Sequence, residues 1–399
     1  MAGEPGPLGG GRAGTRAAPA RSMGTMDEKP NSERQPGGDP FEGDRAWKRH
    51  DGGLRYTRLE DGVRPYPQGS VRLPDGSVVP GYPSIGRVRS LERELPMHFS
   101  GPFQAEEKMD GYNVRIFRHG DELYGLSRGG FVCPFTTDRL PDLLDPAIFQ
   151  DEPDLVLCAE VAGPETPYME GSPPDVTEDV ALFVFDMTRR GPPAFLPYDE
   201  KVERLERYGL PSVRRFGEFH PDTLEPLREL ILEIDREGRE GLVLKSEDDG
   251  GTRAKYGASR ANIVDIRLMA SALLDVPPEY FTNRLLRTAV FMMEHELEAD
   301  PEVERELGSA FLTGLMDAVR QARTEGTVGH PFRCRFRKRD NALWLMDFLA
   351  ESGGARTRFA DDVPRREGDY WVVEFERIQA RMTGTLRQIF DGPEKREDG

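Results

Sequence analysis

Lysine is the scarce cation in this chain. Of 54 basic residues only eight are lysine, at positions 29, 48, 108, 201, 245, 255, 338 and 395, and the rest are arginine. Cysteine is scarcer still: Cys133, Cys158 and Cys334 lie far apart, which excludes a disulfide scaffold and a cysteine-rich zinc module and fits a reducing cytoplasm. No apolar run approaches the length of a membrane span; stretches such as 180–185 suit a buried strand. The six histidines are scattered without metal-binding spacing. No GxGxxG, GxSxG or internal repeat is present. The run Gly238 to Ser246 ends in Lys-Ser but lacks the glycine before lysine, and its Leu-Val-Leu centre is a strand that cannot curl round a phosphate. The formal net charge of −17 argues against broad coating of nucleic acid, so any such contact has to come from local basic patches.

What is present divides by composition and period. Residues 1–45 are rich in Gly, Pro, Ala, Ser and Arg without periodicity and read as a disordered tail. From Trp47 to Phe99 short apolar stretches alternate with Gly and Pro turns. Strand signals follow at Phe103 to Lys108, at Tyr112 to Arg118 returning as Glu122 to Ser127 through His119-Gly120-Asp121, at Leu155 to Ala162 and at Val180 to Met187. Helical patterns run near Asp199 to Tyr208 and Pro221 to Gly238, with short strands at Gly241 to Ser246 and Arg253 to Tyr256. After Ser259 the period is helical, through Pro278 to Leu297 and Pro301 to Arg323, with an acidic stretch from Glu294 to Glu306 that reads as a solvated face. The last segment is mixed, with strands at Phe332 to Arg337 and Tyr370 to Phe375 and a helix near Asn341 to Ala350.

Where arginine serves as the default cation, a retained lysine invites a chemical question, because an amine can lose its proton and act as a nucleophile while a guanidinium cannot. Three of the eight lysines fall in one ordered set of polar residues at strand ends: Lys108-Met-Asp110-Gly111-Tyr-Asn113, Ser127-Arg128-Gly-Gly, Glu160, Phe183-Val-Phe185-Asp186, Glu240-Gly-Leu-Val-Leu-Lys245 and Arg253-Ala-Lys255. The set suggests attack by an amine on a nucleotide phosphate. A free lysine is neutral in only roughly one molecule in 2,500 at pH 7, so the site has to depress its pKa. Lys245, Lys255 and a magnesium ion are expected to supply that field and to hold the α-phosphate. Glu240 is the expected metal ligand, and Phe185 the ring expected to stack on a base. Singly, each motif is more often an ordinary turn, core residue or ion pair; together and in order they point to a site.

This ordered set resembles the covalent nucleotidyltransferase superfamily of DNA ligases, RNA ligases and messenger-RNA capping enzymes. The strings Glu107 to Arg115 and Ser127 to Thr136 resemble the archaeal-type homodimeric RNA ligases, from about residue 47 to the C-terminus. Asn113 stands where RNA-ligase branches carry Asn and DNA ligases and capping enzymes usually carry Arg. The resemblance implies an α+β protein: a small N-terminal module (46–80), an adenylation domain of antiparallel sheets with flanking helices (81–258), a helical dimerisation module (259–329) and a small α/β C-terminal domain (330–399). It implies ATP and Mg²⁺, with Mn²⁺ as a substitute, single-stranded RNA bearing 5′-phosphate and 3′-hydroxyl ends, and a homodimer without a membrane anchor. By position it makes Lys108 the adenylylated nucleophile, with Lys245 and Lys255 contacting ATP phosphates as catalytic partners. Glu160 contacts the ribose, Phe185 stacks on adenine, Glu240 sits near the metal, and Arg128 lies near the nucleotide or RNA phosphate. Asp110 and Asn113 belong to the lysine motif, and Arg253 departs from the usual lysine. Arg333, Arg335, Arg337, Lys338 and Arg339 form a basic run that either meets RNA phosphates or pairs with the abundant acids. The alternatives carried are a DNA ligase or capping-type transferase, which Asn113 disfavours, and a non-catalytic ATP- or RNA-binding protein on the same scaffold.

Overall fold

The computed structural model describes residues 39–42, 46–247, 251–297, 301–351 and 356–392, so the tail expectation for 1–38 lies outside the described residues. Two antiparallel sheets form its centre. The first has strand order Arg215–Phe219, Phe103–Glu107, Gly241–Ser246, Arg253–Gly257 and Gly86–Arg87, all antiparallel except the last pair. Its strands alternate, and one face is apolar: Ala105, Leu242, Leu244, Ala254 and Tyr256 pack with Leu95 of helix Leu91–His98 and with Leu227, Ile231 and Ile234 of helix Glu225–Arg236. The opposite face carries Lys108, Glu106, Lys245, Arg253 and Lys255, and period 2 puts them all there.

The second sheet runs Ala181–Arg189, Leu155–Ala162, Tyr112–His119, Glu122–Ser127. Its Leu155, Leu157, Ala159 and Val161 join a core with Phe135, Phe332, Phe336, Leu345 and Phe375, so the C-terminal sheet and its helix Arg339–Glu351 share that core. The alternate residues, Val156, Cys158 and Glu160, face the other way. Val156 packs with Leu54, Tyr56, Val71 and Val79 of the N-terminal hairpin module, whose strands pair in the order Ala46–Asp51, Leu54–Leu59, Val71–Arg72, Val78–Val79. The helices Ser259–Met269, Glu279–Glu294 and Pro301–Glu325 build a separate core from Ile263, Ile266, Phe281, Val303 and Ala310. The last helix, Ala380–Asp391, returns to pack Met382 and Leu386 on Ala318 and Ala322.

Three of the elements that the sequence pattern missed have clear physical reasons. Helix Leu91–His98 contains Pro96, a residue that removes a helical hydrogen bond and reads as a breaker. Helix Pro134–Leu143 holds Pro141 in the same way. Strand Arg215–Phe219 is short, lies at a sheet edge and has Gly217 at φ +91 where its register shifts. The acidic stretch is not wholly a solvated face: the Glu294 carboxylate accepts from the Leu91 backbone N–H and, at 2.8 Å, from the Tyr256 hydroxyl. Glu302 and Glu306 both face Arg260. Among the described residues no helix is long and apolar enough to cross a membrane.

Candidate active site

Lys108 follows the last residue of strand Phe103–Glu107, at the rim between the two sheets. Its N–H donates to the Gly241 carbonyl at 2.9 Å, which continues the sheet ladder one step beyond the strand. Its ammonium donates to Glu240, and about a quarter of each side chain remains exposed. Gly111 serves this corner by close approach: a Cβ there would lie 2.5 Å from the Val161 carbonyl and 2.9 Å from Glu160 Cγ, so the backbone of the lysine loop presses directly on the second sheet. Strand register then aligns Asn113, Glu160 and Phe183 in one row across three strands. Asn113 Oδ1 is buried in that row without a partner, an acceptor facing where a ligand hydroxyl or amine would donate.

Lys108 therefore sits among carboxylates. Burial works against its charge, but Glu240, Glu160 and Asp110 together outweigh it, so the ammonium is held above its ordinary range. The depressed amine expected from the sequence called on a magnesium ion; with the protein's own groups alone, Lys108 is clamped as a cation. The acids respond in the opposite sense. Burial, followed by Glu240 and Asp265, pushes Asp110 up to about 7. Burial chiefly, with Glu240 and Asp110 adding to it against Lys108, pushes Glu160 up to about 8. Beside Lys108 the depressed amine is Lys255, at about 8, by burial and then by Arg87, Lys108 and Arg128.

The remaining expected residues separate. Lys255 and Arg128 lie close enough to Lys108 to act on its surroundings electrostatically. Lys245 does not reach the rim. It is 1 % exposed and donates to Glu106 Oε2 and the Phe185 carbonyl, each at 2.6 Å, with Asp186 at 3.3 Å. Lys201 shares Glu106 and the same carbonyl, and Tyr82 and Arg253 both donate to Asp186. Arg253 is thereby bidentate to a buried carboxylate and stacked 3.6 Å over Phe195. In this structure Lys245 and Arg253 are thus both engaged by buried carboxylates, Lys245 by Glu106 and Asp186 and Arg253 by Asp186. Phe185 falls at the register shift between Val184 and Asp186 and lies edge-on to Tyr82 with centroids 5.3 Å apart. Phe183 is the ring directly across from Glu160, and both rings pack on Met109, Ala162 and Val213. The sequence signal for Phe183 was its two-residue spacing from Phe185; the register that favours it belongs to the neighbouring strand. Arg333 and Arg335 pair with Glu165, Arg335 also with Asp179, and Arg337 with Asp142. The basic run therefore fastens the C-terminal sheet to the connection between strands Leu155–Ala162 and Ala181–Arg189. Asp265, Arg87 and Arg287 also border the site, and no motif marked them.

A strand-end lysine between two antiparallel sheets, with an acidic flank on one side and cations on the other, defines the class of covalent nucleotidyl transferases. Residues 101–257 match the RNA ligase family, and residues 268–393 match the C-terminal region of the Pab1020 ligase. The chain belongs to this RNA ligase family, and its antiparallel sheets and flanking helices are the α+β architecture of that fold. It is 44 % identical to a protein of Aquifex aeolicus provisionally described as an ATP-dependent DNA ligase, over 87 % of this chain and 96 % of that one, with a TM-score of 0.82. It is 27 % identical to an archaeal ATP-dependent RNA ligase over 88 % of this chain and 93 % of that one, with a TM-score of 0.78. An uncharacterized protein of Methanocaldococcus jannaschii is 29 % identical over 278 residues, 68 % of this chain and 70 % of its own length.

Proposed function

We propose that this RNA ligase works by ATP-dependent lysyl-AMP chemistry centred on Lys108. Deprotonated Lys108 Nζ attacks the α-phosphorus of ATP; the N–P bond forms, the bond from that phosphorus to the bridging oxygen breaks, and pyrophosphate leaves with the electron pair. The 5′-phosphate of an RNA then displaces Lys108 from AMP. A 3′-hydroxyl finally attacks the 5′-phosphorus and releases AMP, which joins or circularises single strands. The observation that carries the reading is the position of Lys108: a partly exposed amine held by Glu240, with Lys255, which has no ion pair among the described residues, on the same sheet face.

The row of Asn113, Glu160 and Phe183 is the side suited to ribose and base, since it offers an orphan acceptor, a carboxyl and a ring. Four carboxyl groups (Asp110, Glu160, Glu240 and Asp265) act on one ammonium, and Asp110 and Glu160 are pushed up towards neutrality or above it. That excess of hard oxygen donors fits Mg²⁺, which Glu240 and Asp110 would hold. When bound, the ion supplies the positive charge that offsets Glu240 and eases loss of the Lys108 proton. Incubation with ATP labelled at the α-phosphate and Mg²⁺ tests the reading: a covalent protein–AMP adduct is expected, and it is lost in Lys108→Ala. Absence of any adduct in the unaltered protein would leave only a binding role. Competition between 5′-phosphorylated RNA and nicked DNA tests end preference, with RNA expected to be sealed first.

Exposed apolar side chains on the helical module support a homodimer. Leu286, Val290 and Met293 share one face of helix Glu279–Glu294 by their spacing, and Leu312 and Met316 project from helix Pro301–Glu325; Leu286, Met293 and Leu312 are each more than 60 % exposed.

A further inference from the structure

The line of cations that starts beside Lys108 continues past Lys255. Lys255 is in register with Arg87 on the edge strand Gly86–Arg87, and partnered residues on neighbouring strands project from one face about 4.8 Å apart. The Arg87 guanidinium lies 4.0 Å from the point where a Cβ on Gly257 would stand, so it reaches along the charged face. Beyond this edge lies helix Glu279–Glu294. Three residues fix which side of it faces the sheet: Arg284 pairs with Asp265 at 2.7 Å, Phe291 is buried in the core beneath Tyr256, and Glu294 accepts from Leu91. Arg287 falls between these anchors on the same helical face, three residues after Arg284 and four before Phe291.

Among the described residues the side chains of Arg87, Arg128, Lys255 and Arg287 make no ion pair or hydrogen bond, in a chain of net charge −17 where Arg139, Arg239 and Arg253 are all ion-paired. Unpaired cations brought together in this way repel one another: burial and then Arg287 take Arg87 down to about 10. Such a row needs an anion with several charges spread along it.

We infer that Arg87 and Arg287 extend the phosphate site outward from Lys255, seat the β- and γ-phosphates of ATP and hold the pyrophosphate as it leaves. The inference rests on the lysyl-AMP reading above. In-line attack places the leaving group opposite Lys108 Nζ. On the inner side Glu160, Asp110 and Glu240 repel a polyphosphate, whereas the outward side offers this cationic row, faced by Glu240 and by an Asp265 that Arg284 already pairs. Arginine forks match phosphate oxygens two at a time. A single RNA 5′-phosphate would use one end of the row, and a pyrophosphate group spans it.

The test uses Arg87→Gln and Arg287→Gln, each checked against the unaltered protein for its unfolding midpoint. Three measurements are made: single-turnover formation of the protein–AMP adduct against ATP concentration, its reversal by added pyrophosphate, and sealing of RNA supplied already adenylylated. Each variant is expected to need at least tenfold more ATP and tenfold more pyrophosphate for half-maximal rates, with sealing of adenylylated RNA within twofold of the unaltered protein. Unchanged ATP and pyrophosphate dependence would overturn the assignment. So would a selective loss of sealing, which would give the row to RNA. Failure of the unaltered protein to form an adduct would instead remove the underlying reading.

Discussion

Lys108 and Glu240 lock to each other across adjacent strands of one sheet, at the point where the ladder ends with the Lys108 N–H on the Gly241 carbonyl. The proposed nucleophile is thus held in its charged form by the carboxylate proposed as a metal ligand. Lys108→Arg keeps the ion pair and the fold but gives a group that cannot deprotonate. No adduct is expected at any pH up to 10 by intact-mass measurement, while the unfolding midpoint stays within a few degrees of the unaltered protein.

Beneath the site, Lys201, Lys245 and Arg253 share Glu106 and Asp186 away from water. Glu106→Gln leaves three buried cations with one carboxylate and is expected to cost about 3–5 kcal/mol in chemical denaturation. Lys201→Met removes the third cation together with its dehydration cost, which burial expresses by bringing Lys201 down to about 8. That variant is expected to lie within about 1 kcal/mol of the unaltered protein. In the double variant the loss from Glu106→Gln should shrink.

His295 sets an acid limit on the helical module. It is buried against Phe291 and shares a 2.9 Å hydrogen bond with the Tyr256 hydroxyl; burial, with Arg228 adding to it, takes it down to about 4. The unfolded imidazole titrates near 6.5. Between those values the unfolded chain binds the extra proton, so stability rises with pH across about 4 to 6.5 and is lost as pH falls. The largest slope from this one group is about 1.4 kcal/mol per pH unit. His295→Gln keeps a partner for Tyr256 and cannot titrate. Denaturation at pH 5 and 7.5 should show a smaller difference for that variant.

If the apolar face of the helical module joins two copies, Met293→Glu combined with Leu286→Glu buries two charges per protomer at the contact. Light scattering should then report the monomer mass where the unaltered protein gives twice that value. Adduct formation should persist, since neither residue touches the lysine cleft.

The strands that carry the site were legible because their alternation is strong: Leu155–Ala162 reads directly from its pattern, and the hairpin at Gly120 reads from its turn, where φ is +62. Residue type and face were also readable for Lys245, which lies two residues from Val243 on the same face as Lys255. Its depth was not, because Glu106, Asp186 and Tyr82 arrive from other segments. For the same reason Phe183 and Phe185 could not be separated without the register of the strand bearing Glu160. Arg87 and Arg287 belong to a two-residue edge strand and to an otherwise ordinary helix, 200 positions apart, so only folding brings them near one another. The basic run was read as open to either RNA or acids; Glu165, Asp179 and Asp142 pair with its Arg333, Arg335 and Arg337.

Phe336 meets Phe135 at 5.4 Å in an edge-on contact, and Asp138 caps helix Arg339–Glu351 by accepting the Arg337 and Lys338 backbone N–H groups. The C-terminal unit is consequently joined to the second sheet through oily side chains and an interlocked helix start. A chain cut after residue 328 would bare that greasy seam, so the shortened protein is expected to aggregate rather than survive as a smaller enzyme.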